Sequence, residues 1–351
     1  MLPDAINNTR PATDFVGATL GEEFSGIHVG KQAHFRKLTL FPLMRSTHTS
    51  EGLDYLLLED AITQGFGRVT EIHQAGSVSE LRFDNSSDLP VLLLGGEELI
   101  GAKQNRVLNL TILAPPKQTT IIPVSCVEAG RWSTANTNFR SSDNVMHSHA
   151  RAQQVMHVTQ AMRASGSHRS NQYAVWGEIA AKMQRLDAAS PTQAMSAIYE
   201  RQATAVEEYV RAFQWQDHQA GIVFAINGRV LGLDLFDNDQ VMCRFFPKFV
   251  RSFALDAIDA AYGGSTPNAP EANEPAKAEA VTDFLAKITS APSSMHRAIG
   301  IGKDIRFGTS EMAGAGLWAK RYIHICAFAQ NGRDDQTFQT RMSRPAHRRM
   351  W

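Results

Sequence analysis

Two strand-like runs, 106–113 and 119–127, joined through Ala114-Pro115-Pro116-Lys117, constrain the fold more than any other stretch of the chain. Pro115 and Pro116 cannot donate to a strand ladder, so the chain turns there and the two runs come back antiparallel. A turn centred on Pro116 pairs residue i with residue 232 − i, so Leu108 faces Val124, Leu110 faces Ile122, Arg106 faces Cys126 and Gln104 faces Glu128. Directly opposed side chains stand roughly 4.5–5.5 Å apart at Cβ. That register gathers Leu108, Leu110, Ile112, Ile122, Val124 and Cys126 on one apolar face, with Gln104, Arg106 and Glu128 at its end. A slip of one residue turns the whole set over, so the coherent face supports the register.

The hairpin joins two polar segments, Gly95-Gly96-Glu97-Glu98-Leu99-Ile100-Gly101-Ala102-Lys103-Gln104-Asn105-Arg106 and Ser125-Cys126-Val127-Glu128-Ala129-Gly130-Arg131-Trp132. Carboxylates and guanidinium groups at the rim of an apolar face are costly to bury unless each finds a partner. Two readings stand side by side. Arg106 with Glu128 is an ion pair that fixes the strand register. Alternatively, the cluster is a site for an anionic small molecule. In the second reading Glu98 and Glu128 are the candidate catalytic acid and base, or hold a hard divalent cation such as Mg²⁺. Lys103, Gln104, Asn105, Arg106 and Arg131 are the candidate ligand-binding groups, since planar guanidinium donors suit phosphate and carboxylate. Trp132 can stack on a ring, or fill the core at the strand end. The glycines follow neither the Walker spacing nor the dinucleotide-binding spacing. Cys126 points into the apolar face and reads as a structural thiol, not a nucleophile.

Elsewhere the pattern is that of an α+β protein: a strand-rich antiparallel N-terminal half with a helical insertion, then a mixed αβ second half. Residues 1–15 read as a disordered polar arm and 331–351 as a disordered basic tail. Between them, 16–330 form a single domain. Its parts are a strand-rich 16–135, a helical insertion 142–213 opening at Ser142-Asp143, a hairpin plus helix 221–262, a flexible linker 263–276, and a helix with terminal strands 278–330. Asn227-Gly228 is a strong hairpin signal, and Pro247 is suited to the first turn of a helix. His147, His149 and His157 lack the spacing of a metal pair, and His324 is a minor candidate for a supporting role. Asp234 and Asp237 read as turn or cap residues.

Lys and Arg total 35, as do Asp and Glu, so no net field draws the chain to nucleic acid or to an anionic membrane. No run reaches the roughly 20 apolar residues that span a bilayer, and no secretory signal opens the sequence. Three scattered cysteines argue against a disulfide framework and for a reducing, cytoplasmic setting.

The blocks Gly96 to Arg106 and Pro123 to Trp132 resemble the first type of the ADP-ribosylglycohydrolase and rhodanese-phosphatase-associated protein (ARPP) domain, with a likeness running over about 24–329. The signature falls on Glu97, Glu98, Lys103, Gln104, Asn105, Arg106, Cys126, Glu128, Arg131 and Trp132. The resemblance implies an enzyme that acts on a phosphorylated, nucleotide-derived small molecule of ADP-ribose type, by hydrolysis or group transfer. The alternative it leaves is a non-catalytic module that senses such a ligand or scaffolds a partner in nucleotide metabolism. It assigns no cofactor.

Overall fold

The structure, a computed structural model, describes residues 20–46, 52–133, 138–262 and 275–330. The 1–15 arm and the 331–351 tail lie outside the described residues, as does the 263–276 linker up to residue 274. At the linker's end, Ala276 is buried and donates its N–H to Thr39 Oγ1 at 3.2 Å.

Six strands close into a barrel in the order Gln118–Cys126, Glu80–Asn85, Gly67–Glu71, Asn138–Val145, Glu97–Gly101 and Arg106–Leu108, the last returning to the first. The expected register holds where the hairpin pairs: Val124 faces Leu108, Ser125 faces Val107 and Cys126 faces Arg106. Beyond these pairs the two runs separate. Ile112–Ala114 leaves to pair with Val91–Leu93, and the first part of Gln118–Cys126 pairs with Glu80–Asn85. Leu110 and Ile122 therefore do not face each other on one ladder. Both still enter the barrel core with Leu108, Val124, Leu99 and Phe83. An isolated two-stranded ribbon is marginal in water; pairing Arg106–Leu108 with Glu97–Gly101 and Gln118–Cys126 with Glu80–Asn85 closes the barrel and removes its edges, while Ile112–Ala114 joins a separate three-stranded sheet.

An antiparallel sheet of nine strands packs beside the barrel. At its centre Gln219–Ile226 and Arg229–Phe236 turn at Asn227-Gly228, whose φ values of 48° and 77° are the positive ones such a tight turn requires. The terminal strands expected in 278–330 are four, Ser293–Arg297, Lys303–Gly308, Met312–Ala319 and Arg321–Ala329. Lys303–Gly308 carries Asp304, Arg306 and Gly308 at alternate places, and Ser293–Arg297 is polar at four of its five positions, which hides both as strands.

The helices differ from expectation at their starts. Residues 138–145 are a barrel strand, and the helix opens only at Ser148, running to Ser165. The Ser142 hydroxyl is committed to Glu98 and to the Asn144 N–H, so it does not cap; His147 accepts the Ala150 N–H in its place. The 191–213 stretch is two helices, Ser196–Arg201 and Ala203–Ala212. Pro247 lies inside the long helix Asp239–Tyr262, not at its start. Asn238 Oδ1 takes the Gln240 N–H at 2.8 Å and sets the true beginning. Packing holds this helix despite the missing N–H: Phe253 stacks on Phe224 of the sheet, and Phe245 on Phe236. Its other side faces the barrel, where Lys248 Nζ donates to Glu97 Oε1 at 3.0 Å and Ser252 Oγ to the Met146 carbonyl at 2.8 Å.

Candidate functional site

The first polar segment runs along the barrel strand Glu97–Gly101 and serves two different places. Gly95 and Gly96 precede the strand, and Ala102 to Arg106 turn the chain back into the next one. Gly101 has φ +141°, and a Cβ there would lie 2.4 Å from the Asn138 carbonyl oxygen, so only glycine fits.

At the turn, Glu128 is the organiser. Its Oε2 accepts the Asn105 N–H at 3.1 Å and Arg131 Nε at 2.8 Å, and its Oε1 accepts the Thr192 hydroxyl at 2.8 Å. Burial opposes ionisation, yet the hydrogen bonds from Arg131, Thr192 and the Asn105 N–H hold this carboxylate below its usual range. Arg131 spends its remaining donors on the Ala102 carbonyl at 2.6 Å and on Asn105 Oδ1 at 3.0 Å. The expected pairing of Arg106 with Glu128 is thus replaced by Arg131 with Glu128. Arg106 is fully buried on the barrel side, donating to Gln104 Oε1 at 2.9 Å and to the Ser77 carbonyl at 3.4 Å, with Glu71 at 3.9 Å. Lys103 and Arg106 approach the half-exposed Trp132 ring, 5.4 and 5.7 Å from its centroid. Cys126 is buried, and burial raises its thiol pKa, in keeping with a structural role.

Glu98 stands apart from this turn. It is fully buried, accepts hydrogen bonds from Ser142 Oγ at 2.9 Å and Asn144 Nδ2 at 3.4 Å, and leaves Oε1 without a partner. Burial pushes it up to about 7. Among the described residues no group of three or more His, Cys, Asp or Glu is arranged to hold a metal ion, so Glu98 and Glu128 form no cation site with a third such residue.

A small cleft lies elsewhere, between barrel, helix and sheet. The barrel lines one wall through Gly95 and 109–111, the Ser148–Ser165 helix adds Arg151 and Gln154, and the large sheet adds Asp304, Arg306 and His324. None of Glu98, Lys103, Gln104, Asn105, Arg106, Glu128, Arg131 and Trp132 lines it.

A chain of buried polar groups runs along this cleft. Arg151 donates through Nη1 and Nη2 to both oxygens of Asp234, at 2.9 and 2.6 Å. Asp234 Oδ1 is 3.1 Å from His324 Nε2, and His324 Nδ1 is 2.9 Å from Thr111 Oγ1. The Gly95 N–H donates to that same hydroxyl oxygen at 3.0 Å. Gly96 keeps the approach open, since a Cβ there would meet Arg151 Nε at 3.1 Å. On the far wall Arg306 holds Asp304 through Nε and Nη2, at 2.5 and 2.8 Å. Its Nη1 makes no hydrogen bond among the described residues.

Thr111, Arg151, Asp304 and Arg306 were not singled out in the sequence. The available signal was a charged or imidazole residue inside an apolar strand run, as in Leu233-Asp234-Leu235 and Ile323-His324-Ile325. Such a residue needs a buried partner, and the partners come from remote segments.

A closed six-stranded barrel beside a nine-stranded antiparallel sheet, with helices between, makes this an α+β protein with a cleft where barrel, helix and sheet meet. Residues 26–328 match the model of ARPP-1, the ARG and Rhodanese-Phosphatase-superfamily-associated Protein domain, and the chain belongs to that family. No curated protein and no solved structure shows significant similarity to it. No helix among the described residues is long and apolar enough to cross a membrane.

Proposed function

We propose that the cleft between barrel and sheet is the working site, and that it takes a phosphorylated, nucleotide-derived small molecule of ADP-ribose type for hydrolysis or group transfer. The observation that carries this is the composition of the cleft. It combines Arg306, with an uncommitted Nη1, and the Thr111–His324–Asp234 chain, beside Gln154, whose Nε2 donates to Asn109 Oδ1 at 3.1 Å. An uncommitted guanidinium nitrogen suits a phosphate oxygen. The association of the family with ARG proteins supports ADP-ribose chemistry as the substrate class. The Glu128–Arg131 turn then has the supporting task of fixing the barrel end from which the 109–111 wall departs.

Thermal-shift titration with ADP-ribose and related nucleotides, with and without Mg²⁺, tests the proposal, because a ligand of the native state raises the midpoint by mass action. A dose-dependent rise that Arg306→Gln weakens at least tenfold is expected. Turnover of the bound nucleotide, read by chromatography, separates an enzyme from a sensor. Absence of any shift across the panel overturns the nucleotide reading.

A further inference from the structure

We infer that Thr111 is an activated hydroxyl nucleophile, with His324 as its general base and Asp234 as the residue that positions that base. The inference rests on the same cleft as the proposed function but not on the identity of its ligand.

Hydrogen accounting fixes the direction of each bond. Asp234 is fully buried; burial opposes its charge, yet the Arg151 guanidinium and the His324 hydrogen bond hold it below the usual carboxylate range. An ionised carboxylate only accepts, so His324 must donate Nε2–H across the 3.1 Å contact. The Nδ1 atom then carries the lone pair. The neighbouring hydroxyl oxygen already accepts the Gly95 N–H, so its own proton points along the 2.9 Å contact to Nδ1. The tautomer assigned by this network is the one a general base requires. The Gly95 N–H also stabilises negative charge developing on Oγ1. His324 is buried and stacked on Phe236 with centroids 4.6 Å apart, so its ring is fixed in place. Thr111, in contrast, is partly exposed and lines the cleft.

The step balances without any further reagent than water. Thr111 Oγ1 attacks an electrophilic acyl or phosphoryl centre and its proton passes to His324 Nδ1. The leaving oxygen departs with the bonding electron pair and takes that proton. Water repeats the sequence on the threonine adduct, giving a proton to Nδ1 that returns to Oγ1 as it leaves.

An alkyl fluorophosphonate tests this with no substrate in hand. Oγ1 displaces fluoride from phosphorus, the O–H proton goes to Nδ1, and intact-mass and peptide mass spectrometry read the adduct. One adduct per chain on Thr111 is expected, with Thr111→Ser labelled at least as fast. Thr111→Val abolishes it, and His324→Gln slows it about 100-fold or more, the scale of lost general-base catalysis. Burial lowers the pKa of His324, so the wild-type labelling rate holds level from pH 8 to about 6.5 and falls only below that. A wild type and Thr111→Ser that both stay unlabelled, an adduct only on another residue, or a folded His324→Gln labelled at the wild-type rate each overturn the inference. Labelling without nucleotide binding removes the substrate class alone; nucleotide binding without labelling removes the nucleophile alone.

Discussion

Arg151 grips Asp234 through both terminal nitrogens while its guanidinium lies between the rings of Phe249 and Phe328, 5.1 and 5.0 Å from their centroids. Helix and sheet are joined there by a charge pair that water does not reach. Removing one partner strands the other in a low-dielectric interior, which typically costs about 3–5 kcal/mol. Arg151→Met keeps the stem against both rings and is expected to lose stability on that scale in urea denaturation. Adding Asp234→Asn to the same chain removes the stranded charge and should recover part of the loss. A single variant within about 1 kcal/mol of wild type would show that the pair carries little.

Glu128 makes a different prediction, because its hydrogen bonds are local to the turn. Glu128→Gln keeps the size but exchanges charge-assisted acceptors for a neutral amide facing Arg131, a loss of roughly 1–3 kcal/mol. Its bonds to Asn105, Arg131 and Thr192 are made away from the cleft. Ligand affinity measured by calorimetry on the folded variant is therefore expected to stay within about threefold of wild type. A larger loss with the fold intact would return the turn to the site.

Backbone geometry at Gly101 gives a sharper test of the barrel. A methyl group placed 2.4 Å from the Asn138 carbonyl oxygen, at φ +141°, forces the Glu97–Gly101 and Asn138–Val145 strands apart. Gly101→Ala should cost well over about 1 kcal/mol and lower the melting midpoint accordingly. Gly166, with φ +70° at the end of its helix and nothing within 4 Å, is the control: Gly166→Ala is strained but not blocked, and should cost less.

The contrast between the two polar clusters explains what the sequence could disclose. Arg106, Glu128 and Arg131 lie close along one hairpin, so strand periodicity and turn position were enough to bring them together. The register of Cys126 on Arg106 followed from the same count. The exchange of Arg106 for Arg131 as the partner of Glu128 was not legible. It depends on how the 102–105 loop wraps, which side-chain alternation does not encode. The cleft was harder still. Thr111 and His324, like Arg151 and Asp234, are far apart in sequence, and only the packing of barrel and helix against the sheet sets their contacts. Asp234 looked like a turn residue because it stands near the end of its strand; its bidentate arginine comes from a helix of another segment.

Two buried groups pull the stability–pH curve in opposite directions. Glu98, raised to about 7 by burial from an ordinary 4.5, keeps its proton in the fold after the unfolded chain has lost it. The unfolded state therefore gains as pH rises through that window, and Glu98 costs the fold on the order of 3 kcal/mol by pH 7. His147 acts in the opposite sense: burial, reinforced by Lys182, lowers it to about 3. Its contribution is present at neutral pH and is lost as the pH falls from about 6.5 toward 3, because the unfolded chain takes up the proton first. Between pH 4.5 and 6.5 the two slopes oppose each other. Glu98→Gln retains an acceptor for the Ser142 hydroxyl but cannot ionise, so the falling contribution of Glu98 is removed and that of His147 remains. Urea denaturation across pH 4.5–7 should therefore give a steeper increase in stability for Glu98→Gln than for wild type, with the variant the more stable at pH 7. Parallel curves would mean that Glu98 is ionised in the fold throughout this range, and that its unpartnered oxygen is satisfied there.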